Sequence, residues 1–232
     1  MKTAVFGSIL LLIVLVIGMN LRTVRTARTQ EPAEEGSIMW YVQQAKAKGK
    51  NRIEMGPTIV EYGGSSKTTN LKVALSLYNL LVATPIQQVT LPYESSEIIT
   101  WSKFKSLEAL SKTPTATLTK ESSATPPTEL LPVAEDEFVI AQIGGSLKID
   151  DVTVIKPAEY TPFIKGERYV LFLQRSPSGK AEIAGGPIGS FHLRGNGSIQ
   201  PLSKREHPLV KDLREQFGNS LLSLRESIKG KS

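Results

Sequence analysis

A mainly β fold, a barrel or sandwich with helices at its margins, is what the sequence predicts, and three observations predict it. Between residues 79 and 202, short runs rich in Val, Ile, Leu, Phe and Thr recur in alternating or fully apolar patterns. Turn-forming Gly and Asn separate them, with Asn196-Gly197 the clearest hairpin pair. Helical spacing is confined to the flanks, before residue 79 and after residue 207. The 232 residues, 40% of them hydrophobic, suffice for one large domain with appendages and a sizeable core.

The chain begins with an uncharged apolar run, Ala4–Met19, preceded by Lys2. This is the charged and hydrophobic order of an export signal. Sixteen residues span about 24 Å as a helix, and including Thr3, Asn20 and Leu21 brings the run close to bilayer thickness. It reads as a signal anchor, with cleavage after Gly18, behind the small residues Val16 and Gly18, as the alternative. Arg22, Arg25 and Arg28 follow the run, which by the positive-inside tendency favours a cytoplasmic C-terminus. A leader this near residue 1 usually acts as a translocation signal, so export of the C-terminal domain is the expectation taken.

Thr23–Gly36 is polar, broken at Glu31-Pro32, and reads as a linker. Ser37–Lys48 reads as a helix capped by Ser37, with Ile38, Met39, Val42 and Ala45 on one face and lysines at its end. Met55–Thr69 is turn-rich around a short strand candidate, Thr58-Ile59-Val60. Asn70–Tyr78 places Leu71, Ala74, Leu75 and Tyr78 at helical spacing. Strands are then expected over 79–91, 97–110, 137–143, 147–155, 167–174, 181–184 and 190–193. A parity slip at Asp150-Asp151 marks a bulge or turn in the fourth of them. Tyr169–Leu173 is apolar at every position, as a central strand covered on both faces would be.

Two segments stand apart. In 111–134, 13 of 24 residues are Ser, Thr or Pro and none is aromatic, a composition that predicts a long mobile insertion. Pro208–Lys229 predicts one amphipathic helix, its stripe running Leu209, Leu213, Phe217, Leu221, Leu224, Ile228. The expected organisation is thus an anchor or signal (1–22), a linker (23–36), a helical and turn-rich lead-in (37–69), a β domain (70–202) carrying the insertion (111–134), and the C-terminal helix (203–232).

Chemistry is sought in charge and spacing. The net charge is +6, but residues 1–30 hold +4 of it through Lys2, Arg22, Arg25 and Arg28, leaving +2 for the other 202 residues. A nucleic-acid binder carries its basic face on the folded domain, so no nucleic-acid partner is expected. The chain has no cysteine, which removes disulfides, thiolate metal sites and a Cys nucleophile. His192 and His207 lie in no metal-binding spacing; the first reads as a half-exposed strand residue and the second as a helix boundary. Glu135-Asp136-Glu137 and Asp150-Asp151 are adjacent carboxylates, which point to opposite strand faces and do not converge by themselves. Gly63–Thr68 misses the phosphate-loop pattern at Glu61 and Ser66. Ser190 lacks the second glycine of a nucleophile elbow. Trp40, Trp101 and Tyr169 read as core or interface anchors. No catalytic, metal or cofactor residue is assigned.

Pro162-Phe163, Gly166–Leu173, Gly185-Gly186-Pro187, Gly189, Phe191 and Gly197-Ser198-Ile199 with Pro201-Leu202 form a recognisable series. It resembles a pattern in exported bacterial proteins whose domain is similar to the OB-type barrel of tissue inhibitors of metalloproteases and netrin modules. The resemblance spans residues 70–202 and implies an OB-like barrel. Those inhibitors act through a disulfide-held N-terminal cysteine, which this chain lacks, so no inhibitory residue carries over. The functional expectation is a membrane-anchored or exported non-enzymatic binding or structural domain of a cell envelope, attached through residues 4–19. Two alternatives stand beside it. One is an exported hydrolase built from distant carboxylates such as Asp150 and Glu167 with His192. The other is an envelope-complex subunit whose C-terminal helix docks on a protein partner.

Overall fold

The computed structural model describes residues 32–56, 70–112, 125–131, 133–158 and 160–230. The chain divides into two units, Met1–Ala33 and Glu34–Ser232. The apolar run 4–19, the strand candidate 58–60, the glycine-rich segment 63–68 and most of the Ser/Thr/Pro insertion lie outside the described residues. Among the described residues no helix is long and apolar enough to cross a membrane.

The second unit is mainly β. Helix α1 (Ile38–Ala47) leads into β1 (Arg52–Glu54), and α2 (Leu71–Leu77) into the long pair β2 (Asn79–Tyr93) and β3 (Glu97–Ser111). There follow β4 (Glu137–Ile143), β5 (Gly145–Ile149), β6 (Val152–Lys156), β7 (Arg168–Arg175), β8 (Ala181–Ile183), β9 (Ser190–Leu193) and β10 (Ile199–Pro201), then α3 (Pro208–Phe217) and α4 (Leu221–Lys229). They form a seven-stranded sheet, β10-β9-β7-β2-β3-β4 with β8 also on β7, and a three-stranded sheet, β1-β6-β5. Among the described residues only β1–β6 is a parallel ladder.

Strand β7 is central, as its unbroken apolar run requires. It pairs with β2 through Tyr169–Leu173 and with β9 and then β8 along its other edge. Period two sends Val170 and Phe172 to one face and Tyr169, Leu171 and Leu173 to the other. The first face joins Leu80, Val82, Phe191 and Leu193 in a core covered by α2, α3 and α4. The second meets Phe104, Phe138, Ile140, Phe163 and Ala181 inside the curve of the sheet. There Phe163 stands edge-on to Phe104 and to Tyr169, with centroids 4.8 and 4.9 Å apart.

The barrel expectation is corrected. The sheets are not closed into a barrel. The curl brings β4 back towards β8, but one bridge spans them, Val139 to Lys180, with the Val139 N–H donating to Gly179 O at 3.0 Å. Alternating residues fix which face a strand buries, and they leave open whether the first and last strands meet.

Further differences are local. The expected C-terminal helix is two helices. Gly218 and Asn219 both take left-handed φ of 57°, and Ser220 caps α4 by accepting from Ser223 N–H. The stripe survives the break, since Leu209, Leu213, Leu221 and Leu224 all enter the helix-covered core. Asp150-Asp151 is a tight turn between two strands where one interrupted strand was expected, with Asp150 at φ 53°. Asn196-Gly197 occupies the last two positions of a three-residue loop, Gly197 at φ 81°. Met39 is exposed, off the buried face of α1. Strand β1 was not foreseen, since three residues carry no period.

The insertion is not loop throughout. Thr128–Leu130 forms a short 3-10 turn, and Leu130 is fully buried against Ile99, Trp101 and Val139.

Candidate functional site

His192 sits on β9 opposite Tyr169, its Nε2 3.1 Å from Glu167 Oε2. The two side chains are 29% and 51% exposed, so this is a surface pair. Asp150 does not join them. It lies in the β5–β6 turn of the other sheet, with Oδ2 2.7 Å from Lys46 Nζ. The distant acidic pair expected of a hydrolase is therefore split between two sheets. Ser190, two residues from His192 on the same face of β9, is enclosed, and its Oγ meets no partner.

His207 is the N-cap of α3: its Nδ1 accepts from Leu209 N–H at 3.2 Å, and the ring is buried. Asn196 Oδ1 accepts from Ser198 N–H and Oγ, which closes the turn between β9 and β10. Trp101 and Tyr169 are buried, as expected, whereas Trp40 is half-buried. Among the described residues no three His, Asp or Glu side chains are grouped to hold a metal ion.

The acidic triplet before β4 is distributed among cations. Glu137 Oε2 lies 2.7 Å from Lys103 Nζ, and Asp136 Oδ2 3.7 Å from Lys105 Nζ. The Lys103 ammonium, hydrogen-bonded to the carboxylate, holds Glu137 below the ordinary carboxylate range, and the Ala134 N–H adds to this. Arg175 Nη2 donates to the carbonyls of Glu135 and Glu137 at 2.9 and 2.6 Å, with its guanidinium 5.5 Å from the Phe138 centroid. Burial lowers the Arg175 pKa, while Asp136 and Glu135 act against that.

Of these groups Glu135, Asp136 and Arg175 border an open cleft of about 960 Å³. Leu81, Ser176 and the last residues of β3 also line it. Strand β4 pairs with β3 only from Ile99 to Lys105, and one further bond, Ser106 N–H to Asp136 O at 2.7 Å, ends the ladder. The chain before β4 turns away there, because Leu130 is seated in its own apolar cluster. From Leu107 to Ser111 β3 has no strand on its outer edge among the described residues, and its ladder with β2 slips at Leu107 and at Leu110, which stand opposite no residue of β2. Leu107, Glu108 and Ala109 are exposed along it. Sequence reasoning missed this edge, since where a partner strand stops is a property of pairing.

Lys156 was also missed. Its side chain is 9% exposed, and Nζ lies 3.3 Å from Glu97 Oε1, so an enclosed ion pair joins the small sheet to the start of β3.

Comparison with protein-family models, curated proteins and solved structures found no match for the chain. His192 bonds Glu167, and the Ser190 Oγ on the same strand face makes no hydrogen bond, so no nucleophile is linked to this pair through Ser190. The arrangement supplies an exposed strand edge beside a cleft whose charges are mostly paired.

Proposed function

We propose that the protein is a non-enzymatic binding or structural domain of a cell envelope, exported and held at the membrane by residues 4–19. The carrying observation is the cleft beside the bare end of β3. It offers backbone donors and acceptors to another polypeptide, while two of the carboxylates around it are held by cations, Glu108 by Arg225 and Asp136 by Lys105. Attachment follows from the uncharged run Ala4–Met19 behind Lys2. The β domain is read as an opened relative of the OB-type barrel of metalloprotease inhibitors and netrin modules. Support for that reading is the curl of β7, β2, β3 and β4 around one aromatic core, with β8 as the near-meeting strand. With no cysteine, it carries no inhibitory mechanism over.

Fractionation of the cells that make the protein, with N-terminal sequencing of the mature chain, tests this. Recovery with membranes and an intact first segment supports the anchored form; a chain beginning near Met19 outside the cytoplasm supports the cleaved form. Recovery of the full-length chain free in the cytosol contradicts both.

One observation favours the hydrolase alternative, the Glu167–His192 pair, which has the acid–base geometry of an orienting carboxylate and an imidazole. Hydrolysis of an ester or peptide panel that is abolished by His192→Ala would establish it. Docking through the C-terminal segment would have to use its outward side, where Leu222 is 60% exposed, since the stripe itself faces the sheet.

A further inference from the structure

We infer that Asn196 is a site of spontaneous modification, to aspartate and isoaspartate through a succinimide, and that the joint between α3 and α4 gates it. Asn196 is exposed in the loop between β9 and β10, and Gly197 follows it. The step needs no enzyme or cofactor. The Gly197 nitrogen attacks Asn196 Cγ, a C–N bond closes the ring, and the side-chain nitrogen leaves as ammonia with the Gly197 proton. Water then opens the ring at either carbonyl. Opening at Cγ leaves aspartate; opening at the main-chain carbonyl leaves isoaspartate, with a methylene added to the backbone. Glycine favours the attack, since no Cβ crowds its nitrogen and its backbone turns freely.

The fold restrains both reacting groups. The Gly197 N–H donates to Arg194 O at 2.9 Å, so a nitrogen stripped of its proton would face a carbonyl oxygen it can no longer bond. Asn196 Oδ1 accepts from Ser198 N–H at 3.0 Å and from Ser198 Oγ at 2.7 Å, which tethers the carboxamide. The loop is tied in turn to the C-terminal helices. Gly197 O accepts from Leu221 N–H at 3.1 Å, Ile199 N–H donates to Asn219 O at 2.8 Å, and Ser198 and Ser220 form a bridge between them. Residues 219–221 thus lie along the loop as a short strand would, fixed from the core by Leu221 and Leu224. Attack requires the chain to turn about Gly197, and this joint resists the turning. Release of the joint opens the gate. Isoaspartate then hinders the return, because the lengthened backbone no longer sets Gly197 O and Ile199 N–H in register with Leu221 and Asn219.

The inference goes beyond the envelope reading and does not depend on it, so a cytosolic location would leave it intact. The full chain in mild detergent is incubated at mildly alkaline pH, folded and in urea, and the peptide carrying Asn196 is followed by mass and by isoaspartate content. Conversion in the folded chain is expected to be at least about tenfold slower than in urea, because attack waits on local opening. Gly218→Ala, which strains the joint without touching the loop, should raise the folded-state rate severalfold and leave the rate in urea unchanged. Ser220→Ala, which removes the α4 cap, should act in the same direction. Lys156→Ala, which weakens the small sheet, should leave the folded-state rate as it is. A rise with either joint variant and none with Lys156→Ala supports the gate. Conversion as fast folded as in urea, no rise with both joint variants, or an equal rise with Lys156→Ala overturns the inference.

Discussion

Leu130 and Leu131 are neighbours with opposite fates: the first is fully buried and the second 42% exposed. Truncating Leu130 to alanine should therefore cost about 2–5 kcal/mol. The same change at Leu131 should stay within about 0.5 kcal/mol, and thermal melts of the two variants would separate them. Composition concealed this anchor, because a stretch rich in Ser, Thr and Pro averages to a loop and one leucine at its end does not alter the average. Glu137 hides in the same way. In the sequence it is one of three adjacent carboxylates, but the Lys103 ammonium beside it gives it a lowered pKa. A carboxylate whose folded pKa is depressed adds stability above its unfolded pKa near 4.5, and that stability is lost as the pH falls through the folded value. Glu137→Gln should thus lower stability at pH 7 by about 1 kcal/mol, and the gap from the parent should close below about pH 4. Urea midpoints at pH 7 and pH 3 measure both. Gly145 is dictated sterically, since a Cβ there would overlap Thr100 Oγ1.

The elements themselves were the most legible level. Strands β2, β3, β4, β7 and β9 and helices α1 and α2 stand where alternation and helical spacing set them, because side-chain burial is what those periods record. The joints were less legible. The stripe from Leu209 to Ile228 continues across the break at Gly218-Asn219-Ser220, so periodicity alone reads one helix. Gly218 and Asn219 are residue types that tolerate φ of 57°, and Asn219 O accepts from Ile199 N–H, so the break also seals the edge of β10. Gly218→Ala should destabilise the protein by about 1 kcal/mol, although a Cβ there meets nothing within 4 Å, because the cost lies in the backbone angle. Denaturant unfolding of that variant beside Gly195→Ala, where φ is ordinary and space is open, isolates the effect.

For the molecule as a whole, strand content was legible and closure was not. Whether a curled sheet seals depends on stagger and on where each ladder stops, and these are relations between distant residues. The candidate site has the same origin: no residue of Leu107–Ser111 is unusual, and the edge exists because the segment before β4 parts from β3 beyond Ser106 and buries Leu130. The small sheet is joined to the large one partly through Lys156 and Glu97. Lys156→Ala leaves Glu97 without its cation in an enclosed place and should cost about 2–3 kcal/mol, less than a fully buried pair because Glu97 keeps some contact with water. Lys156→Met, which keeps the volume, should cost less than Lys156→Ala, and calorimetry on the two variants ranks them.

Amide hydrogen exchange along β3 in a dilute, monomeric sample bears most directly on the exposed edge from which the binding role is drawn. Residues 99–105 lie between two strands and should exchange slowly throughout, whereas protection should fall between Leu107 and Ser111, where the outer edge has no strand and the ladder with β2 slips twice. Uniform slow exchange through Ser111 in the monomer would mean that the edge is already covered, contradicting the free edge on which the proposed binding role rests.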